Sequence, residues 1–429
     1  MIAATSDTLD ELSSKIIDAF NVEVEISFAR LKGGYFNDPL LVSKMGNGEH
    51  IPICVIKKSL MDSSYAAMQL RAMDQLQRNG FEHIPKVFGI GQKYLSQIGE
   101  EHYSFVEYIE EDPIINRRSF SIDDILRLIG KFHRHANGIE FLAGETHLER
   151  LTKKKPYFTS PKSDWHINLI GRDRYELLKS LFEFYTSREF IEIYSKLPKQ
   201  LIHGDTFVTN FIPANNKPFL IDFDTIAYDI RLYDVVYPFK YDGTIIRFDL
   251  AQIPGVSLDQ AKNIYQRMIE LGLIDCHGLK IDNPDKARRI GFFSDFNIEN
   301  LDHWILFFLN KSDTYDFSFE KLQNPTEIYQ ILENTYNQEN NGNPITEFEY
   351  ENFFTIFNFM VIESYCSFIH EIDKAMLEKN HDNEEIFGEL FDRHFRCLDS
   401  TLRSWNHYQG EFRGYLGNQL EVKKHEVFN

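Results

Sequence analysis

Residues 8–20 (TLDELSSKIIDAF) space their apolar positions three and four apart, which predicts a short amphipathic helix behind Ser6 or Asp7 as cap. The period then changes to two. VEVEISFARL alternates as a strand, Lys32-Gly33-Gly34-Tyr35 turns, and LLVSKM returns. Gly46-Asn47-Gly48 is a hairpin signal, and IPICVIKK is a third strand. Helical spacing resumes from Ser63 to Arg78 and stops at Asn79-Gly80, and KVFGIGQKYL and HYSFVEYI follow as two more strands. The first quarter is thus expected to be a small antiparallel sheet with one helix inserted after its third strand.

From Asp112 the pattern turns helical, with a helix over 123–137 and one or two more over 173–196. A compact strand-loop-strand block runs from Leu201 to Phe223, and helices follow to the end. Residues 334–344 (NTYNQENNGNP) form the most polar, Asn-rich stretch and predict a mobile surface loop. Phe353 to Ile369 is the nearest approach to a membrane span, but Asn358 and Glu363 interrupt it, so a buried helix is expected.

Composition narrows the function classes. A chain of 429 residues suits two or three domains or one two-lobed enzyme, and 37 Phe with 21 Tyr can fill a large core. A net charge of -19 disfavours nucleic acid and anionic membrane as partners and would suit a cationic small molecule. Four scattered cysteines form no disulfide scaffold, and the pairs Cys366/His370 and His394/Cys397 read as core packing rather than metal ligands. The opening MIAATSDTLDELSSK has neither the basic nor the apolar region of a secretory leader, so a reducing, cytoplasmic setting is expected.

The chemistry concentrates in LIHGDTFVTNFIPANNKPFLIDFDTIAYDIRLYDVVYP. His203-Gly204-Asp205 is followed five residues later by Asn210, and twelve beyond that by Asp222 in the apolar strand FLIDFD. This is the spacing of a phosphoryl-transfer catalytic loop. Such a reaction needs a carboxylate to orient the acceptor hydroxyl and take its proton, a job for Asp205. It also needs hard oxygen ligands for Mg²⁺, which Asn210 and Asp222 can supply.

On these motifs the chain resembles the aminoglycoside phosphotransferase and choline kinase family, over about residues 25–240 and most strongly over 201–237. The resemblance implies an α+β, two-lobed protein-kinase-like fold: a small antiparallel-sheet N-lobe over 1–108 and a large, mainly helical C-lobe over 109–429. Within that C-lobe the catalytic loop would occupy 201–234, and an extended helical acceptor side would occupy 243–429. It assigns Asp205 as catalytic base, and Asn210 and Asp222 as magnesium ligands. Lys57 on the third strand would meet the phosphates of ATP (or GTP), with Lys58 facing the other way. Gly33 and Gly34 would cover those phosphates, and Glu107 and Tyr108 would offer backbone to the base. Asp234 would bind backbone near the catalytic loop. Asp224 and Asp229 are either solvated charges or contacts to a cationic acceptor.

One departure stands out. Where the family carries a Glu on the helix after the third strand, this chain has Gln69, with Asp62 and Asp74 nearby. Gln69 could hydrogen-bond Lys57 without neutralising it. The implied activity is transfer of the terminal phosphate of ATP to a hydroxyl of an amino sugar, amino alcohol or related metabolite. The alternative is a catalytically inactive kinase-like binding or structural protein. Trp304, Glu363 and Tyr365 are candidate walls of an acceptor pocket, although core packing accounts for them more simply.

Overall fold

The computed structural model describes residues 6–239, other than 22–25, 32–38, 47–48, 60–61, 90–93, 111–121, 142–143, 160–166, 168–171, 208–209 and 216, together with residues 325–377. In chain order the first part comprises α1 (Ser6–Phe20), β1 (Ile26–Arg30), β2 (Leu40–Gly46), β3 (Glu49–Lys58), α2 (Ser63–Arg78), β4 (Val87–Phe88), β5 (Leu95–Ile98) and β6 (Glu101–Val106). All pairings are antiparallel, in the order β1-β2-β3-β6-β4, with β5 also on β6. Within the expected strand KVFGIGQKYL, Val87–Phe88 pairs with β6, and β5 begins at its last residue, Leu95, and runs on to Ile98.

Alternation along β3 decides which side chains reach the site. Cys54 and Ile56 lie under α1 with Leu12 and Ile16, while Val55 joins the main core with Leu70, Met73 and Leu76 of α2. Lys57 shares the face of Val55 and is therefore aimed away from α1. Pro52 has no N–H for a ladder. It lies beyond the stretch of β3 paired to β6, beside a register shift between Val42 and Ser43.

Helix α2 starts where Asp62 accepts a hydrogen bond from Ser64 N at 2.8 Å, and it ends at Asn79 followed by Gly80 at φ +92°. Its buried Ala66, Leu70, Met73 and Leu76 fall on one face at helical spacing. Burying each leucine contributes roughly 1.5–3 kcal/mol.

The second part is mainly helical: α3 (Ile122–Ala136), α4 (His147–Lys153), α5 (Pro156–Thr159), α6 (Arg172–Tyr185) and α7 (Arg188–Lys196). A compact block follows, with β7 (Lys199–Ile202), β8 (Phe211–Ala214), β9 (Lys217–Leu220), β10 (Ala227–Ile230) and α8 (Leu232–Val236). It pairs β7 with β10 and β8 with β9. After the gap come α9 (Pro325–Asn334), α10 (Tyr336–Glu339), α11 (Glu347–Glu351) and α12 (Phe353–Leu377). The first half of α12 is buried, as expected, and Phe359 packs with Tyr185, Phe190, Tyr194 and Tyr233. Among the described residues no helix is long and apolar enough to cross a membrane.

Residues 334–344 are a surface loop only in part: 341–344 are exposed, whereas 335–337 and 340 are buried, against the expectation. Asn337 and Asn340 are buried, and their amides are spent inside the fold. Asn337 Nδ2 donates to Tyr350 Oη at 3.0 Å and its Oδ1 accepts from Ile345 N at 2.8 Å; Asn340 Nδ2 donates to Tyr336 Oη at 3.0 Å. The segment lies against α3 so closely that a Cβ on Gly130 would stand 2.8 Å from Tyr336 O.

Candidate active site

Strand β7 ends at Ile202, and the chain turns through His203-Gly204-Asp205. One buried carboxylate shapes that turn. Asp234 at the start of α8 accepts from His203 N at 2.7 Å and from Gly204 N at 2.8 Å, and its carbonyl accepts from Thr206 Oγ1 at 2.7 Å. This is the backbone-binding role expected of Asp234. Behind it, His133 Nε2 donates to Asp234 at 3.1 Å, and Tyr336 Oη meets His133 Nδ1 at 2.8 Å. Burial holds His133 below the usual imidazole range despite the neighbouring Asp234, so it is neutral, with its proton on Nε2.

Gly204 is required by this geometry. It has φ +79°, and a Cβ there would stand 2.5 Å from Thr225 O. Gly204→Ala is expected to displace the loop against backbone that cannot yield. The cost would be about 1–3 kcal/mol in chemical denaturation, with loss of phosphoryl transfer. Unchanged stability and activity would contradict that role.

His203 is a spacer. Its Nε2 donates to Ile221 O at 2.9 Å, and its Nδ1 accepts from Asp205 N at 3.2 Å. It thereby ties Asp205 to the strand end that carries Asp222. Asn210 joins the same two segments. Its Nδ2 donates to Asp205 O at 2.9 Å and Asp205 Oδ2 at 3.0 Å, while its carbonyl accepts from Ile221 N at 2.9 Å. The Tyr237 hydroxyl also hydrogen-bonds Asp205, and burial followed by that charge pushes the phenol well up.

Asp222 has left-handed backbone, φ 64° and ψ 64°, a conformation uncommon outside glycine and concentrated at functional sites. Lys57 Nζ donates to Asp222 Oδ1 at 2.8 Å, across 165 residues of sequence. Burial alone would lower the Lys57 pKa; the charges of Asp224 and Asp222 outweigh it and raise it. Lys58 pairs with Glu101 on the opposite face.

The donor set fits a hard divalent cation. Asn210 commits its amide nitrogen to Asp205, so its Oδ1 is the atom left to face a metal. The Asp222 and Asp224 carboxyl groups lie within hydrogen-bonding reach of each other; burial would raise the Asp222 pKa, and Lys57 together with that contact holds it below the usual carboxylate range. Asn210 and Asp222 would hold the ion.

Other expected site residues are placed as follows. Glu107 N donates to Lys86 O at 2.8 Å and its Oε2 accepts from Lys86 N at 3.1 Å, so that N–H is committed to the sheet and is not the donor to a base. Tyr108 packs against the main core. Asp229 is fully buried rather than presented to an acceptor: it accepts from Tyr194 Oη at 2.6 Å, His147 N at 2.7 Å and Ile230 N at 2.8 Å. Glu363 is buried and accepts from Tyr233 Oη at 3.2 Å. Gly33, Gly34, Trp304, Cys276, His394, Cys397 and the side chain of Tyr365 lie outside the described residues.

Gln69 does not meet Lys57. Its Nε2 donates to Asp224 Oδ1 at 3.1 Å. The alternative acids are spent elsewhere, Asp62 as the cap of α2 and Asp74 on Tyr94 Oη at 2.7 Å and Arg78 at 2.7 Å. The sequence reading missed this pairing, as well as Tyr237 and Thr225, whose hydroxyl donates to His203 O at 2.9 Å. The second Asp of FLIDFD was the available signal for the first; nothing local marked the other two.

Residues 61–256 match the family model described as the phosphotransferase enzyme family. The match covers a little under half of the chain. It contains Gln69, the His203-Gly204-Asp205 turn, Asn210, Asp222, Asp224 and Asp234. The fold is α+β, with a small antiparallel-sheet part before a mainly helical one. A comparison with curated proteins finds no match. Among solved structures, a choline kinase from Cryptosporidium parvum Iowa II is 12% identical, with 95% of this chain and 97% of that one covered at a TM-score of 0.49. An aminoglycoside phosphotransferase from Alicyclobacillus acidocaldarius is 9% identical, with 94% and 95% covered at 0.48. A choline/ethanolamine kinase family protein from Mesorhizobium loti is 12% identical, with 96% and 98% covered at 0.48.

Proposed function

We propose that the phosphotransferase moves the terminal phosphate of ATP or GTP to a hydroxyl of an amino sugar, amino alcohol or related metabolite. The observation that carries this reading is convergence. Asp205, Asn210, Asp222 and Lys57 come from three separate segments and are joined by the Asn210–Asp205 bonds and the Lys57–Asp222 pair. Asp205 accepts the proton of the acceptor hydroxyl. The acceptor oxygen bonds to the terminal phosphorus, and the bond from phosphorus to the bridging oxygen breaks, releasing the nucleoside diphosphate. Lys57 binds the phosphates, and Asn210 and Asp222 hold Mg²⁺. When bound, the ion neutralises charge on the phosphate oxygens. The acceptor site would be cationic in preference, in keeping with the net charge of -19.

Calorimetric titration with Mg·ATP and Mg·GTP tests the nucleotide side. One of them is expected to bind, and Lys57→Met is expected to weaken it at least about tenfold, the worth of one charge-assisted contact. Binding of neither would contradict the proposal.

A further inference from the structure

The contacts of α2 bear on how Lys57 is held. A half-buried ammonium group needs anionic neighbours, and here both come from one strand end, Asp222 by direct contact and Asp224 by proximity. Helix α2 contributes no acid of its own at this point. What it contributes is attachment. Gln69 Nε2 donates to Asp224 Oδ1 at 3.1 Å, and Tyr65 Oη donates to Ile226 O at 2.6 Å and reaches Asp224 O at 3.3 Å. The side chain and the backbone of the Asp224 segment are thus both fastened to the helix. A glutamine can do this where a glutamate cannot, because a carboxylate at 69 would meet the Asp224 carboxylate with nothing to donate.

We propose that Gln69 is a positioning residue for nucleotide binding: its amide holds the Asp224 carboxylate beside Lys57, so that position 224 carries the negative charge that α2 lacks. The inference rests on the proposed nucleotide site. It predicts that the charge is portable between the two positions. Gln69→Glu alone places a second carboxylate against Asp224, whereas Gln69→Glu with Asp224→Asn moves the acid to the helix and restores one donor and one acceptor.

The experiment measures two quantities on the full chain: the melting temperature of the ligand-free protein and the Kd for Mg·ADP by calorimetry. Gln69→Glu is expected to lower the melting temperature and to weaken Mg·ADP about tenfold, the size of one pKa unit of charge interaction. The double variant is expected to recover most of both. Gln69→Leu, which keeps the volume and adds no charge, covers the case in which Gln69→Glu does not fold, and it is expected to raise Kd by a smaller factor. If the wild type binds nucleotide and Gln69→Glu binds equally well, or the double variant binds no better than Gln69→Glu, the inference is overturned. A wild type that binds no nucleotide overturns the kinase reading and the inference together. In that case the melting temperatures still report whether 69 and 224 are paired.

Discussion

Asp205→Asn is expected to lower kcat by roughly 10²–10⁴-fold, the range for loss of a positioned general base. The substitution keeps the shape of the side chain, and the Asn210 amide and the Tyr237 hydroxyl can still be met by the remaining carbonyl oxygen. The proposed nucleotide contact, at the Lys57–Asp222 pair, does not involve this residue. Nucleotide KM and Mg·ADP affinity should therefore stay near the wild-type values while turnover collapses, the pattern of an interaction made in the transition state only. Steady-state kinetics with ADP release as the signal separates the two. A kcat within about threefold of wild type would assign proton removal to another group.

The second large effect is on stability. Arg231 and Glu349 form a bidentate pair at 2.8 and 2.7 Å, and both side chains are completely buried. Arg231 also donates to Asn343 O and Pro344 O, at 2.6 Å each, while Glu349 closes the capping box of α11 with Thr346. Arg231→Met leaves a buried carboxylate with its Thr346 donors but no counter-charge, and two carbonyls without their donor. The expected cost is about 3–5 kcal/mol in chemical denaturation. Arg231→Met with Glu349→Leu removes the stranded charge, and should recover part of that loss but not the carbonyl contribution. A single variant costing under about 1 kcal/mol would show that the pair contributes little. The effect reaches the site, because Arg231 is three residues from Asp234, and Asp234 fixes the backbone of His203 and Gly204.

The sheet and helices were legible because their apolar periods are regular. VEVEISF alternates cleanly, and α2 repeats its apolar positions on one face from cap to Gly80. The fixed offsets of Asp205, Asn210 and Asp222 were legible for a related reason: residues proposed to serve one site sit at the ends of short, apolar strands. The Asn-rich stretch 334–344 was misread in part. Polar composition reports what a side chain can bond, not whether its partner is water or protein, and here Asn337 and Asn340 bond buried hydroxyls and backbone. Asp229 looked like a surface charge for the same reason, although a tyrosine and two backbone N–H groups surround it. The partner of Gln69 was illegible because it lies 155 residues away and on another element. That contact also removes the argument that a neutral residue at position 69 leaves Lys57 without charge compensation.

The central claim is phosphoryl transfer to a small-molecule hydroxyl. Its most direct test is transfer of labelled terminal phosphate from Mg·ATP and Mg·GTP to aminoglycosides, choline, ethanolamine, homoserine, thioribose and simple sugars, with Asp205→Asn alongside. The account predicts labelled phosphate on one acceptor class, lost in the variant. Labelled product formed equally by the variant, or nucleotide bound with no transfer to any hydroxyl, would contradict it.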